Sequence, residues 1–168
     1  MKKALMVGVT DPEALVRSRA PRSGSDALRI TRNGVETHRT FAGSFLADSF
    51  GAPVQHIAFA CNDTIETAQA LERNSYNPLS IPENYRADLA SRFDLSTGQM
   101  AVLQHDNILY DASSSGEFFH FYSKPFAGEM FFEVSQRKNR YEGYGAPNAP
   151  FRIAAQKRFM RPKGMPRK

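Results

Sequence analysis

The chain has 168 residues, 41% of them hydrophobic with thirteen phenylalanines, and a formal net charge of +5. That is enough apolar material for one compact domain, while ten prolines and eleven glycines argue against long uninterrupted helices. One cysteine, Cys61, excludes an internal disulfide and a cysteine-based zinc cluster, and no window reaches membrane-spanning length.

Taken in order, Met1 to Val9 imitates a secretory signal only in outline, because its apolar run is too short and no small-residue cleavage site follows. Residues 4 to 32 read as extended segments with turns. Leu15 to Ala20 is one expected strand and Ala27 to Thr31 a second, with the Ser- and Gly-rich Pro21 to Asp26 as the hairpin between them. Thr40 to Phe50 carries Phe41, Phe45 and Leu46 at helical spacing and predicts a short amphipathic helix. Gly51-Ala52-Pro53 then breaks it. Val54 to Phe59 alternates as a strand does, with His56 on one face and Gln55, Ile57 and Phe59 on the other.

Asp63 followed by Glu66 is a capping-box pattern that opens a helix through Ile65, Ala68 and Leu71. Pro78 and Pro82 mark a loop. Two shorter helices follow, one through Tyr85, Leu89 and Phe93, the other capped by Ser96 and running through Met100 and Leu103. Strands resume at Ile108 to Asp111, turn at Ser113 to Gly116, and continue through Phe118 to Lys124. Phe131 to Arg137 completes the set. The order from 54 to 137 is an α+β arrangement: one β-α-β-β-β unit with a mixed sheet and extra helical residues after its first helix.

Residues 1–50 read as the closing hairpin of an incomplete preceding unit plus a linking helix, 51–156 as the complete unit with a C-terminal helix, and 157–168 as a basic tail. The tail is expected to be a solvated terminus and not a nucleic-acid site, which needs a fold to present the basic patch. A lone unit leaves a sheet edge uncovered, so pairing with a second copy or a partner chain is expected. Cys61, just after the His56 strand, reads as a packing residue and fits a reducing, cytoplasmic setting.

The chemistry concentrates at two positions. His56 and Glu133 are polar groups set mid-strand among apolar neighbours, where burial without a partner is costly. A lone mid-strand histidine is commonly a core residue satisfied by hydrogen bonds. Two such groups in one small unit are better explained if they satisfy each other or hold a metal ion. His120 shares a strand face with Tyr122, whereas His38 and His105 sit in polar surroundings and read as surface residues.

The combination Val54-Gln55-His56-Ile57-Ala58, the Tyr110-Asp111 and Gly116 hairpin, Lys124-Pro125, and Phe132-Glu133-Val134-Ser135-Gln136-Arg137 closely resembles the catalytic half of 4-hydroxyphenylpyruvate dioxygenase, in the vicinal oxygen chelate superfamily. Gly143-Tyr144-Gly145-Ala146-Pro147-Asn148 is similar to the glycine-rich gate before that family's last helix. Leu15 to Ala20 and Gly143 to Pro150 also resemble, in the same order, phrases of a branch of that family: the C-terminal domain of bacterial two-domain 3-dehydroshikimate dehydratases. The resemblance covers roughly residues 12 to 155 and is specific as a set of motifs. It implies a curved mixed sheet, His56 and Glu133 as metal ligands, and Ser18, Asn33, Gln55, His120 and Tyr144 as substrate contacts. It also implies a divalent cation, Fe(II) foremost, with Mn, Co or Mg as alternatives, and a small-molecule substrate such as a 2-oxo acid.

Two departures from the dioxygenase pattern matter. His120 stands where that enzyme has a substrate-contacting glutamine, and Ala149 where it has a phenylalanine, which argues against 4-hydroxyphenylpyruvate itself. The family's first histidine ligand falls upstream of residue 1, so two of three ligands of a 2-His-1-carboxylate triad are expected here, with His120 a candidate substitute. Three chemistries stay open: oxygen activation beside a bound 2-oxo acid, Lewis-acid stabilisation of an enolate, or an accessory module without catalysis of its own.

Overall fold

A computed structural model describes residues 2–11, 14–22, 28–35, 39, 41–49, 53–126 and 130–159; of 2–11, 14–22, 33, 35, 41 and 44 it describes the backbone alone. Two compact units divide the chain, Met1–Pro53 and Val54–Lys168.

The first unit is a three-stranded antiparallel sheet in the order β1-β2-β3, followed by a helix. Strand β1 (Lys2–Asp11) pairs with β2 (Ala14–Arg22), and β2 with β3 (Arg32–Val35). The signal-like opening run is therefore a sheet strand. Two expectations are corrected here. Pro21 belongs to β2 and not to the turn, and the strand expected over Ala27 to Thr31 is displaced to Arg32–Val35. Leu28 and Ile30 look like strand interior in sequence but are 58% and 51% exposed; β2 pairs instead with the more polar run that follows. Helix α1 (Phe41–Asp48) lies where the Phe41, Phe45 and Leu46 spacing placed it, with Phe45 buried.

The second unit is the expected β-α-β-β-β arrangement. Strand β4 (His56–Ala60) leads into α2 (Thr64–Arg73), α3 (Asn84–Arg92) and α4 (Thr97–His105). Strands β5 (Leu109–Ser113), β6 (Gly116–Tyr122) and β7 (Phe131–Asn139) follow, and α5 (Ala149–Lys157) ends the unit. The four strands form one open mixed sheet in the order β4-β7-β6-β5; β4 runs parallel to β7 and the other pairs are antiparallel.

The helix starts follow their caps. The Asp63 carboxylate accepts the Glu66 N–H at 3.0 Å, one half of a capping box. Ser96 and Gln99 complete both halves at α4, with bonds of 3.2 and 2.9 Å. Each side-chain cap of this kind contributes about 1 kcal/mol. Gln136 of β7 fixes the start of α2 to the sheet: its Oε1 accepts from the backbone N–H (3.2 Å) and hydroxyl (3.1 Å) of fully buried Thr64, while its Nε2 donates to the Asn62 carbonyl.

Alternation along β6 and β7 sorts the sheet into two faces. Phe118, His120 and Tyr122 share one face with Phe131, Glu133 and Ser135, and α5 packs there, its Arg152 guanidinium 5.6 Å from the Tyr122 ring centroid and 5.3 Å from that of Phe131. The opposite face carries Phe121, which meets Tyr76 edge-on at 6.2 Å. Strand β4 begins at His56, two residues later than the sequence places it, so His56 opens the strand and does not lie mid-strand. Ile57 and Phe59 are 41% and 54% exposed, because β4 is the sheet's edge.

Candidate metal centre

The sheet register assembles the site. His56 pairs with Phe131 and Ala58 with Glu133 across β4 and β7, so His56 is the diagonal neighbour of Glu133. Tyr122 lies directly opposite Glu133 across β6 and β7, and His120, opposite Ser135, is diagonal to it from the other side. Diagonal neighbours on one face lie within reach of long side chains. One carboxylate is thereby ringed by two imidazoles and a phenol from the strands on either side of it.

The distances follow. His56 Nε2 lies 3.5 Å from Glu133 Oε2, and His120 Nδ1 lies 3.1 Å from Glu133 Oε1. The His56 ring stacks on Phe131 with centroids 4.9 Å apart and planes within 9°. That contact half-buries the imidazole on an otherwise exposed strand, leaving its side chain 27% accessible. Glu133 is buried. Burial alone would raise its pKa, but the hydrogen bond from His120 and the electrostatic influence of the neighbouring His120, His56 and Arg137 side chains hold it below the ordinary carboxylate range. The His56 pKa is lowered, first by burial and further by Arg152 and His120, against the opposing pull of Glu133. An anionic carboxylate beside a neutral imidazole is the donor set a divalent cation takes.

Ligand bonds of roughly 2.0–2.2 Å to one ion place two donor atoms roughly 3–3.5 Å apart. The 3.5 Å between His56 Nε2 and Glu133 Oε2 fits such sharing. Among the described residues, no group of three His, Cys, Asp or Glu side chains is placed to hold an ion. His120 reaches Glu133 through the other carboxylate oxygen.

The remaining sequence-predicted residues are placed as follows. Gln55 immediately precedes β4, half-buried, and its carbonyl accepts the Phe131 N–H at 3.1 Å. Tyr144 is half-buried in the glycine-rich turn. Ser18 and Asn33 are register partners in β2 and β3 of the first unit, and their side chains lie outside the described residues, as does His38. His105 is 73% exposed and paired with Asp106 at 2.7 Å, the surface residue expected. Cys61 is half-buried, its N–H donating to the Ser135 carbonyl at 2.9 Å.

Sequence reasoning missed the residues behind His120. Asn148 is 1% exposed and donates from Nδ2 to the Tyr110 carbonyl at 3.0 Å, with His120 Nε2 also 3.0 Å away. Arg92, at the end of α3, donates to Asn148 Oδ1 at 3.0 Å. Asn148 was visible only as the last letter of the glycine-rich motif. Arg92 carried no signal, since nothing in its surroundings distinguishes it from a solvated helix-end cation. The turn itself approaches His120 closely. Gly145 has φ +59°, and a Cβ there would lie 2.8 Å from His120 Nε2, so glycine is required on both counts.

No protein-family model matches the chain. Among curated proteins it is 41% identical over 150 residues to a 3-dehydroshikimate dehydratase of Pseudomonas putida, covering 89% of this chain and 24% of that protein. It is 33% identical over 105 residues to a 4-hydroxyphenylpyruvate dioxygenase of Tetrahymena thermophila, covering 58% of this chain and 26% of that one. Among solved structures, a fusion protein of a xylose isomerase-like TIM barrel and 4-hydroxyphenylpyruvate dioxygenase aligns with a TM-score of 0.74 at 36% identity, over 93% of this chain and 25% of the other. A triple mutant of 4-hydroxymandelate synthase from Streptomyces coelicolor shares the fold alone, with a TM-score of 0.76 at 21% identity over 95% of this chain and 46% of the other.

The chain is therefore similar to the 4-hydroxyphenylpyruvate dioxygenase-like group of proteins, as its motifs implied. Within that group it is similar to the corresponding part of 3-dehydroshikimate dehydratases, and it spans about a quarter of the length of those relatives.

Proposed function

We propose that the chain is a metal-binding domain that acts on a 2-oxo acid or a related small oxygenated substrate, with His56 and Glu133 as two protein ligands. The observation that carries this is the pair itself: a buried carboxylate and a half-buried imidazole, 3.5 Å apart, on one face of the sheet. Fe(II) is the preferred ion, and Mn, Co or Mg would suit the same nitrogen and oxygen donors. Bound there, a divalent ion supplies a Lewis-acid centre for a chelating oxygenated substrate. Stacking on Phe131 holds the His56 ring, and the hydrogen bond with His120 holds the carboxylate. Gln55 and Tyr144, together with Ser18 and Asn33, are assigned to the substrate side by resemblance to the dioxygenase.

A third ligand is assigned outside the described residues, and a second copy or a partner chain is assigned to the open edge of β4. The compartment proposed is the cytoplasm, which suits a lone free cysteine. A second reading is an accessory module of a 3-dehydroshikimate dehydratase-type protein without catalysis of its own. It rests on the similarity of the chain to part of such a dehydratase.

Calorimetric titration with Mn(II), in the presence and absence of a 2-oxo acid, tests the first reading. Saturable binding that the oxo acid tightens, lost in His56→Ala and in Glu133→Ala, is expected. Unchanged binding in both variants would remove the site. Tightening by oxo acid without turnover would favour the accessory module.

A further inference from the structure

His120 is 1% exposed, yet both of its ring nitrogens have polar neighbours. Nδ1 faces Glu133 Oε1 at 3.1 Å and the Tyr122 hydroxyl at 2.9 Å; Nε2 faces Asn148 Nδ2 at 3.0 Å. Which nitrogen carries the proton follows from a residue two contacts away. A guanidinium donates and never accepts, so the group that Arg92 Nη2 meets at 3.0 Å must be the Asn148 amide oxygen. The Asn148 NH2 then faces the Tyr110 carbonyl, an obligate acceptor, and His120 Nε2, each at 3.0 Å. A flipped amide would set NH2 against the guanidinium and oxygen against the carbonyl. Nε2 therefore accepts, and in a neutral ring the proton sits on Nδ1. From there it is donated towards Glu133 Oε1.

Resting on the reading of His56 and Glu133 as metal ligands, we propose that His120 is a positioning residue: it occupies Glu133 Oε1 so that Oε2 is presented towards His56, with Asn148 and Arg92 setting its tautomer. In this role His120 is neither a third ligand nor a substrate contact. Its Nε2 lone pair is occupied by Asn148, and its Nδ1 carries a hydrogen. Carboxylates on metals are typically held in this way by a hydrogen bond to the oxygen that does not bind. The glycine-rich turn belongs to the same device, since Gly145 leaves the space into which the His120 ring fits. Asn148, three residues on, holds the ring's far nitrogen.

The test begins on the metal-free full chain by ¹⁵N NMR of the imidazoles. His120 is expected to show a pyrrole-type Nδ1 and a pyridine-type Nε2, with that preference lost in Asn148→Ala. A pyridine-type Nδ1 in the unsubstituted protein would overturn the proposal. Mn(II) affinity then separates the two carboxylate-facing roles. His120→Asn keeps an amide donor near the Nδ1 position and is expected to bind within a few-fold of the unsubstituted chain. His120→Gln places its amide near the Nε2 position and is expected to weaken binding roughly 10–100-fold. Equal affinity of the two variants, strong or weak, would overturn the proposal. The underlying metal reading fails separately, if His56→Ala leaves Mn(II) binding unchanged, and the tautomer measurement stands independently of that result.

Discussion

At the scale of single residues, Glu133 is where the chain's chemistry converges. Its two oxygens are divided between neighbours, Oε1 to His120 and Oε2 to His56. Replacing it by glutamine keeps the side chain's size and an acceptor for His120 but removes the charge that a divalent ion needs. Glu133→Gln is expected to fold and to lose metal binding, read by elemental analysis beside a thermal melt. A second titrating pair lies away from this site. The exposed His105 donates from Nδ1 to Asp106 Oδ1 at 2.7 Å, and that hydrogen bond, with the carboxylate's charge, raises the histidine's pKa. A histidine bound more tightly to its proton in the folded state stabilises the fold fully below its unfolded pKa of about 6.5. That contribution is lost as the pH rises through the raised folded value. An NMR titration should find His105 above 6.5 and should find it lowered in Asp106→Asn. No change on that substitution would show the pair to be inert.

At the scale of elements, the helix starts were the most legible part of the sequence, because a cap is a local hydrogen bond between residues three apart. Ser96→Ala should cost about 1 kcal/mol in chemical denaturation, with the other helices unaffected. Strand limits were less legible in the first unit: β3 is chosen by pairing with β2, a contact distant in sequence, and not by the apolar content of residues 27 to 31. His56, His120 and Glu133 could be read as candidate site residues from alternation and motif. The Asn148 and Arg92 contacts behind them could not, since they join α3, the glycine-rich turn and β6 across 28 to 56 residues. Gly145 tests that junction. An alanine there adds a positive-φ cost of about 1–3 kcal/mol to a contact of 2.8 Å with His120. Gly145→Ala should lower the melting temperature and disturb the His120 imidazole signals. An unchanged melt would mean that the turn relaxes freely.

At the scale of the whole molecule, no helix among the described residues is long and apolar enough to cross a membrane. The second unit's sheet ends on β4, an exposed edge strand carrying Ile57 and Phe59. The Phe59 ring packs 5.7 Å from Phe132, which in turn lies 5.2 Å from the half-exposed Phe126. An apolar cluster beside a strand edge with no partner among the described residues favours association. Sedimentation velocity should show concentration-dependent association that Phe59→Lys reduces; a monomer at all concentrations would contradict a self-pairing edge. The metal site is tested most directly by asking where an ion goes. Mn(II) added in small increments should broaden NMR signals around His56, Ala58 and Glu133 before any others, with His56→Ala abolishing the effect. Broadening that begins at exposed carboxylates elsewhere, and that is indifferent to His56, would contradict a metal centre on this face of the sheet.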